Sequence, residues 1–355
     1  MRIDRLEVRR ERLPLTRAYT IARRTIAEVE LLFVRVHAGG EIGLGNASPG
    51  IGVTGETAAS CAEALERAAE LLTGRDPGEV GTLARLLERE LPAAPAARAA
   101  CDMALWDLLG RRLGVSVVEL LGRAHHRLPT SVTIGIQGVE EALDEAREHL
   151  ARGFRALKIK LGHDVEADIE RLVRLREVVG AGIAIRTDAN TGYDLAALRR
   201  YFDGTRALDL ELCEQPLPRG REGELSTLDD AERACLAADE SLHGPDDVAA
   251  LLVPPRPFGI FNIKLMKCGG ISASRRLAEV AEAVGIGLMW GCMDESRVAI
   301  AAALHSALAA PATRFLDLDG SLDLACDAVA GGFVLRDGML STAPGPGLGV
   351  QWEAE

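Results

Sequence analysis

From about Pro129 to Asp317 the chain repeats one pattern, a short apolar run ending on a polar residue and then a stretch with helical spacing. The runs are SVTIG, FRALKIK, IAIRTDAN, LDLELCEQP, ACLAADES, GIFNIKLMK, IGLMWGCMDES and TRFLDLD. Eight strand-helix units in series predict a parallel α/β barrel of the (β/α)8 type. The polar ends Lys160, Asp188, Glu214, Asp239, Lys264, Asp294 and Asp317 are separated by 28, 26, 25, 25, 30 and 23 positions. One strand, turn and helix consumes about that much chain. The segments before the barrel have a different texture. Residues 1 to 55 alternate as strands, with Gly39-Gly40 suited to a hairpin turn, and residues 56 to 122 change to alanine-rich helical spacing that ends at glycine. Strands followed by helices predict an α+β domain. The tail, with GGFVLRDGML and APGPGLGV, reads as a strand hairpin able to rejoin the N-terminal sheet. The expected division is 1–125, 126–322 and 323–355.

Composition narrows the function classes. A chain of 355 residues that is 48% hydrophobic fits one large domain plus a smaller one. Its net charge of -12 repels phosphate backbones and anionic lipid, so no nucleic acid and no membrane surface is expected as a partner. No apolar run reaches the ~18 to 20 residues of a membrane span, and the N-terminus is charged where a signal peptide is apolar. A cytoplasmic protein is expected, with self-association left open. Seven scattered cysteines without a CxxC pair argue against both a disulfide framework and a zinc cluster. His305, within the apolar run AAALHSALAA, reads as a packed core histidine.

The strand ends carry the chemistry, because in such a barrel they converge on one mouth. Asp188, Glu214 and Asp239, from three successive strands, would place three carboxylates around one point, a hard-cation site of the magnesium type. Taken singly, each acid also suits a helix cap. Lys158 and Lys160 in LKIK share one face of their strand, and Lys264 ends a strand roughly opposite. A lone strand lysine is usually a solvated charge; two on opposite sides of a cation are placed to move a proton on either face of a bound carbon. A cation and burial would both lower their pKa values. A proton α to a carboxylate is very weakly acidic, and its removal requires stabilisation of the resulting enediolate, which a metal on the carboxylate oxygens supplies.

At this point the chain resembles the muconate-lactonising subgroup of the enolase superfamily across nearly its whole length. The resemblance rests on LKIKLG (157–162), RTDAN (186–190), CEQPL (213–217), ADES (238–241), NIKLMKCGGI (262–271) and the helix ARAACDMALWDLLGRRLG. It implies a modified (β/α)7β barrel with a capping domain built from the N-terminal part and the tail. Loops around residues 16–27 and 47–57 would close over the site. It also implies Mg2+ on Asp188, Glu214 and Asp239, Lys160 and Lys264 as the acid/base pair, and Lys158 beside the substrate carboxylate. One departure is visible, Asn46 in GLGNAS where many members carry Glu.

Within the subgroup, FLDLDG resembles the Asp-x-Asp pattern of dipeptide epimerases, whose two aspartates bind the substrate α-ammonium. Asp317 and Asp319 are expected on one face of an extended segment, where paired anions suit one ammonium; an exposed acidic turn is the competing reading. Arg24 matches a capping-loop arginine of Ala-Glu epimerases and would favour an acidic side chain, although Arg23 beside it leaves a solvated charge open. Asp294 and Glu295 favour a cation instead, unless they pair with Arg297 or cap the next helix. The expected activity is therefore two-base epimerisation of a dipeptide, an isomerase reaction, with a preference for Lys or Arg side chains and Asp294 as its main determinant. The alternatives are an L-Ala-D/L-Glu epimerase, an o-succinylbenzoate synthase, an N-acylamino-acid racemase and a non-catalytic homologue.

Overall fold

The computed structural model describes residues 1–21 and 24–353, with side chains described outside 18–25. The chain opens with an antiparallel meander of β1 (Arg5–Ile21), β2 (Arg24–Ala38) and β3 (Glu41–Ala47). The turn between β2 and β3 is Gly39-Gly40, with φ of 58° and 87°. Both lie in the left-handed region that a tight two-residue hairpin demands. Next come α1 (Ala58–Leu72), α2 (Val80–Glu90), α3 (Pro95–Leu113) and α4 (Val117–Leu121). α3 starts on a proline and stops at Gly114, whose φ of 68° ends the helix. β3 lies directly against α3 because its glycines leave room. A Cβ on Gly43 would sit 2.0 Å from the Ala104 carbonyl oxygen, and one on Gly45 1.9 Å from that of Ala100.

β4 (Leu128–Pro129) leads into the barrel, which runs β5 (Val132–Ile134), α5 (Val139–Ala151), β6 (Ala156–Lys160), α6 (Val165–Val179), β7 (Ala184–Asp188) and α7 (Leu195–Thr205). It continues through β8 (Leu212–Glu214), α8 (Asp230–Ala234), β9 (Leu236–Ala238), α9 (Pro245–Leu251), β10 (Ile260–Ile263), α10 (Leu265–Cys268) and α11 (Ile271–Val284). β11 (Gly287–Gly291), α12 (Arg297–Ala309) and β12 (Thr313–Asp317) complete it. The eight strands β5 to β12 are parallel and hydrogen-bonded in chain order. The ring closes where the Ser131 N–H donates to the Leu316 carbonyl at 2.9 Å. After β12 comes a 3-10 turn rather than an eighth barrel helix, which is the (β/α)7β form.

α12 is buried along nearly its whole length. Its His305 is fully buried, accepts the Val118 N–H at Nδ1 (2.9 Å), and is pushed down to about 3 by burial. It is a neutral core histidine, as the sequence predicts. The tail differs from the expectation. Its hairpin of β14 (Phe333–Arg336) and β15 (Met339–Thr342), which follows β13 (Val329–Gly331), adds to β4 and not to the N-terminal sheet. β16 (Val350–Trp352) pairs with β13 and reaches the capping sheet through side chains, Trp352 standing edge-on to Phe33 at 5.4 Å. All seven cysteines are free thiols. Among the described residues, no helix is long and apolar enough to cross a membrane.

Candidate active site

The barrel strand ends and α10 deliver four lysines and a ring of acids to one end of the sheet. Lys158 and Lys160 project from the same face of β6, as alternation requires. Lys160 Nζ donates to Asp188 Oδ2 at 2.7 Å and to Asn190 Oδ1 at 2.9 Å. Lys264, immediately after β10, donates to Asp239 Oδ2 at 2.8 Å. Room for its chain comes from Gly291 at the end of β11, where a Cβ would lie 3.0 Å from Lys264 Cε. Lys158 is 3% exposed, and its ammonium lies 2.7 Å from Glu214 Oε2, 2.8 Å from Asp317 Oδ2 and 3.1 Å from Asp188 Oδ2. In this state it counters protein carboxylates. The structure therefore places Lys158, Lys160, Lys264, Asp188, Glu214 and Asp239 together.

Among the described residues, no three Asp, Glu, His or Cys side chains already enclose one point as a cation cage does. The three acids turn to lysines instead. Their chemistry nevertheless fits a hard divalent cation: an all-oxygen set, buried, from adjacent strand ends β7, β8 and β9. Glu214 Oε2, although close to Lys158, receives no hydrogen bond. Burial first, then the Asp188 charge, pushes Glu214 up to about 7, a penalty that a bound cation reverses. Burial alone would lower Lys264, but Asp239 and Glu214 outweigh it and raise its pKa. Lys158 is likewise raised, since Asp188, Asp317 and Glu214 outweigh its burial. The lowering expected from burial does not hold for Lys158 and Lys264 while their ammoniums are paired with these acids.

Four polar residues that were not singled out from sequence complete this half of the mouth. Asn262 Nδ2 donates to Glu214 Oε1 at 2.7 Å, and Lys267, also buried, donates to both the Asp239 carboxylate and its main-chain carbonyl. Asn190, with φ of 41°, accepts from Lys160. Gln215, with φ of 33°, follows Glu214, and its Oε1 accepts the N–H groups of Asp239 and Ser241 at 3.0 Å each. Left-handed conformations cost about 1 to 3 kcal/mol at non-glycine residues and persist where surrounding bonds impose them. Asn262 was within reach of the alternation rule, since it shares a strand face with Lys264; Gln215 carries no such signal.

The other half of the mouth is formed by the ends of β11 and β12. Asp317 closes β12, accepting the Ser131 hydroxyl at 2.6 Å and Lys158 at 2.8 Å. Asp319 is not on an extended segment, because its φ of -96° and ψ of -12° begin the 3-10 turn Gly320–Leu322. Its carboxylate still turns inward, taking the Thr133 N–H at 2.8 Å, and burial followed by Asp317 pushes it up to about 6. Both acids are buried, which removes the exposed acidic turn. Glu295 neither caps α12 nor pairs with Arg297. Ser296 is the cap, and Arg297 donates to the Gly331 and Phe333 carbonyls. Glu295 accepts the Met293 N–H, and burial pushes it up to about 8. Asp294 is half-buried, with its carbonyl accepting the Ser48 hydroxyl at 2.9 Å. The Arg24 side chain lies outside the described residues. Asn46 donates to the Leu32 and Ala47 carbonyls at 3.3 Å each and accepts the Ser296 N–H at 3.2 Å. A Glu there could not donate in this way.

Comparison with known proteins agrees with this architecture. Residues 4–122 match the family described as mandelate racemase / muconate lactonizing enzyme, N-terminal domain, and residues 141–355 match the enolase C-terminal domain-like family. The chain therefore belongs to the mandelate racemase/muconate lactonizing branch of the enolase superfamily. It is 56% identical to an L-Lys-D/L-Arg epimerase of Methylococcus capsulatus over 99% of both chains. It is 50% identical to an L-Lys-D/L-Arg epimerase of Desulforapulum autotrophicum, again over 99% of both. The crystal structure of a dipeptide epimerase from Methylococcus capsulatus complexed with Mg and L-Arg-D-Lys superposes with a TM-score of 0.96 at 55% identity, over 99% of this chain and 100% of that one.

Proposed function

We propose that this chain is a magnesium-dependent dipeptide epimerase that inverts the α-carbon of the C-terminal residue and prefers Lys- and Arg-containing dipeptides. One observation carries the reading. Lys160 and Lys264 end the second and sixth of eight strands, half a turn apart around the ring, and the acids Asp188, Glu214 and Asp239 come from the three strands between them. A carbon held across that ring presents one face to each lysine. One lysine takes the α-proton of one stereoisomer and the other delivers a proton to the opposite face; the reverse reaction exchanges their roles. Magnesium held by the three acids would supply positive charge to the substrate carboxylate as its α-proton leaves. With Asp239 drawn away from Lys264, burial remains and pulls that ammonium towards neutrality, as a base requires.

Asp317 and Asp319 would read the free amino terminus, since both are buried and Asp319 is disfavoured as an isolated anion. The side-chain preference is supported by the names of the two relatives at 56% and 50% identity and by the acids Asp294, Asp319 and Asp323 in one electrostatic neighbourhood. An acidic substrate side chain would add another like charge there.

The test is incubation with magnesium and a dipeptide panel in deuterated water. Mass gain at the C-terminal α-carbon is expected, fastest for Lys and Arg dipeptides. No exchange with any dipeptide refutes the reading, L-Ala-L-Glu as best substrate refutes the preference, and faster exchange of N-acylated amino acids points to a racemase.

A further inference from the structure

The capping domain grips the mouth at two places in the same manner. Ser48, buried just after β3, donates its hydroxyl to the Asp294 carbonyl at 2.9 Å. Thr16, on β1, donates its N–H at 2.8 Å and its hydroxyl at 3.2 Å to the Asp323 carbonyl. In each case a cap residue holds the main chain of an acidic residue in a segment that follows a barrel strand, Asp294 after β11 and the exposed Asp323 after β12. Neighbouring contacts reinforce both grips. The Ala325 N–H donates to the Pro14 carbonyl at 2.8 Å, and the Ser296 N–H donates to Asn46 at 3.2 Å. Gly50 abuts the same loop, since a Cβ there would lie 3.0 Å from Met293 Cε. The two gripped acids share one field: Asp294, Asp319 and Glu145 all act on the Asp323 charge.

We propose that Ser48 and Thr16 are positioning residues for substrate side-chain selection, each fixing the segment that carries one acid of the mouth, Asp294 or Asp323. The inference rests on the reading of the chain as an epimerase of cationic dipeptides. A charged hydrogen bond weakens steeply once its partners part beyond about 3.5 Å, so a carboxylate selects a cation only while its backbone is held. Neither hydroxyl bonds to Lys160, Lys264 or the three acids between them. The grip therefore acts on selection and leaves proton transfer alone. The Ser48 hydroxyl is the stronger case, because Thr16 keeps its N–H bond to Asp323 when its hydroxyl is removed.

The experiment uses the full chain with magnesium and compares L-Arg-L-Lys with L-Ala-L-Ala. Ser48→Ala should lower the ratio of the two kcat/KM values about tenfold, through KM for the cationic substrate, and Thr16→Val about two- to threefold. Ser48→Thr keeps a hydroxyl and should keep the ratio. Adding Ser48→Ala to Asp294→Asn should cost little more than Asp294→Asn alone, because both act through one carboxylate. Equal losses on both substrates, or additive effects in the double variant, overturn the proposal. If Asp294→Asn collapses the ratio while Ser48→Ala preserves it, the grip alone is refuted. An unchanged ratio in Asp294→Asn refutes the specificity reading and the grip with it. Thr16, at an exposed position, carries the test independently should Ser48→Ala melt at a much lower temperature.

Discussion

The two halves of the barrel mouth treat charge in opposite ways. Along β6 to β10 the three strand-end acids have basic neighbours: Asp188 has Lys160 and Lys158, Glu214 has Lys158, and Asp239 has Lys264 and Lys267. Across β11, β12 and the turn after them, Asp317 shares Lys158, whereas Asp319, Glu295 and Asp323 are pushed up to about 6, 8 and 7. Balanced charge suits a place where protons move and a cation is held; surplus negative charge suits a place that waits for a cationic substrate. On the proposed reading, the difference divides catalysis and selection between separate arcs of one ring, which should yield to separate mutations.

The largest break in that division should come from the lysines. Lys264→Ala or Lys160→Ala should lower epimerisation about 10²- to 10⁴-fold for every dipeptide, while one stereoisomer still exchanges its α-hydrogen with solvent through the remaining lysine. Loss of cationic substrates alone would contradict the separation. Next, Asp239→Asn leaves Lys264 and Lys267 buried without their carboxylate, at a cost of about 3 to 5 kcal/mol. Calorimetric magnesium titration should show weakened binding, and excess chelator should silence the wild type. Full turnover in chelator would remove the metal from the account.

Effects on the selecting arc should be smaller. Asp319→Asn should cost about 1.5 to 3 kcal/mol in kcat/KM for free dipeptides and almost nothing for their N-acetyl forms. Equal losses on both would show that Asp319 does not read the ammonium.

The smallest effect is a pH dependence. Asp319 and Asp323 are raised from 3.8 to about 6 and about 7, so acidification from pH 8 to 5 neutralises them. KM should rise over that span for both L-Arg-L-Lys and L-Ala-L-Ala as Asp319 is neutralised, and further for L-Arg-L-Lys, whose side chain also loses the Asp323 charge. Stability follows the opposite sign. A raised carboxylate makes the folded state bind its proton more tightly than the unfolded chain, so the strain is absent below 3.8 and complete above about 7. Asp323→Asn should therefore melt slightly higher than wild type at pH 8, with the gain shrinking towards pH 5.

How much of this could be read from sequence follows the reach of each signal. The barrel was legible because its period of 23 to 30 residues leaves a strand-end polar residue in register each time. The face shared by Lys158 and Lys160 follows from alternation alone. Lys158 bridging Asp188, Glu214 and Asp317 was not legible, since a long side chain crosses strands that the sequence does not bring together. Asp319 was misplaced because two residues in x-Asp-x-Asp share a face only while the chain stays extended, and the 3-10 turn begins there. The tail was assigned to the wrong sheet because its true partner, Leu128–Pro129, is two residues long and has no strand signature.

The half-turn between Lys160 and Lys264 has a further consequence. In the proposed two-base reaction a proton would be lifted by one lysine and another set down by its counterpart, so each turnover would leave the free protein in the protonation state suited to the opposite isomer. On that reading the protein would carry a memory of its last substrate until water resets it. The reset is lopsided, because the Lys160 side chain is 30% exposed and that of Lys264 only 10%. Solvent reaches one pole of the ring before the other. At high substrate concentration, the slower pole would then set the pace, and the label first appearing in product would come from whichever lysine water has most recently visited.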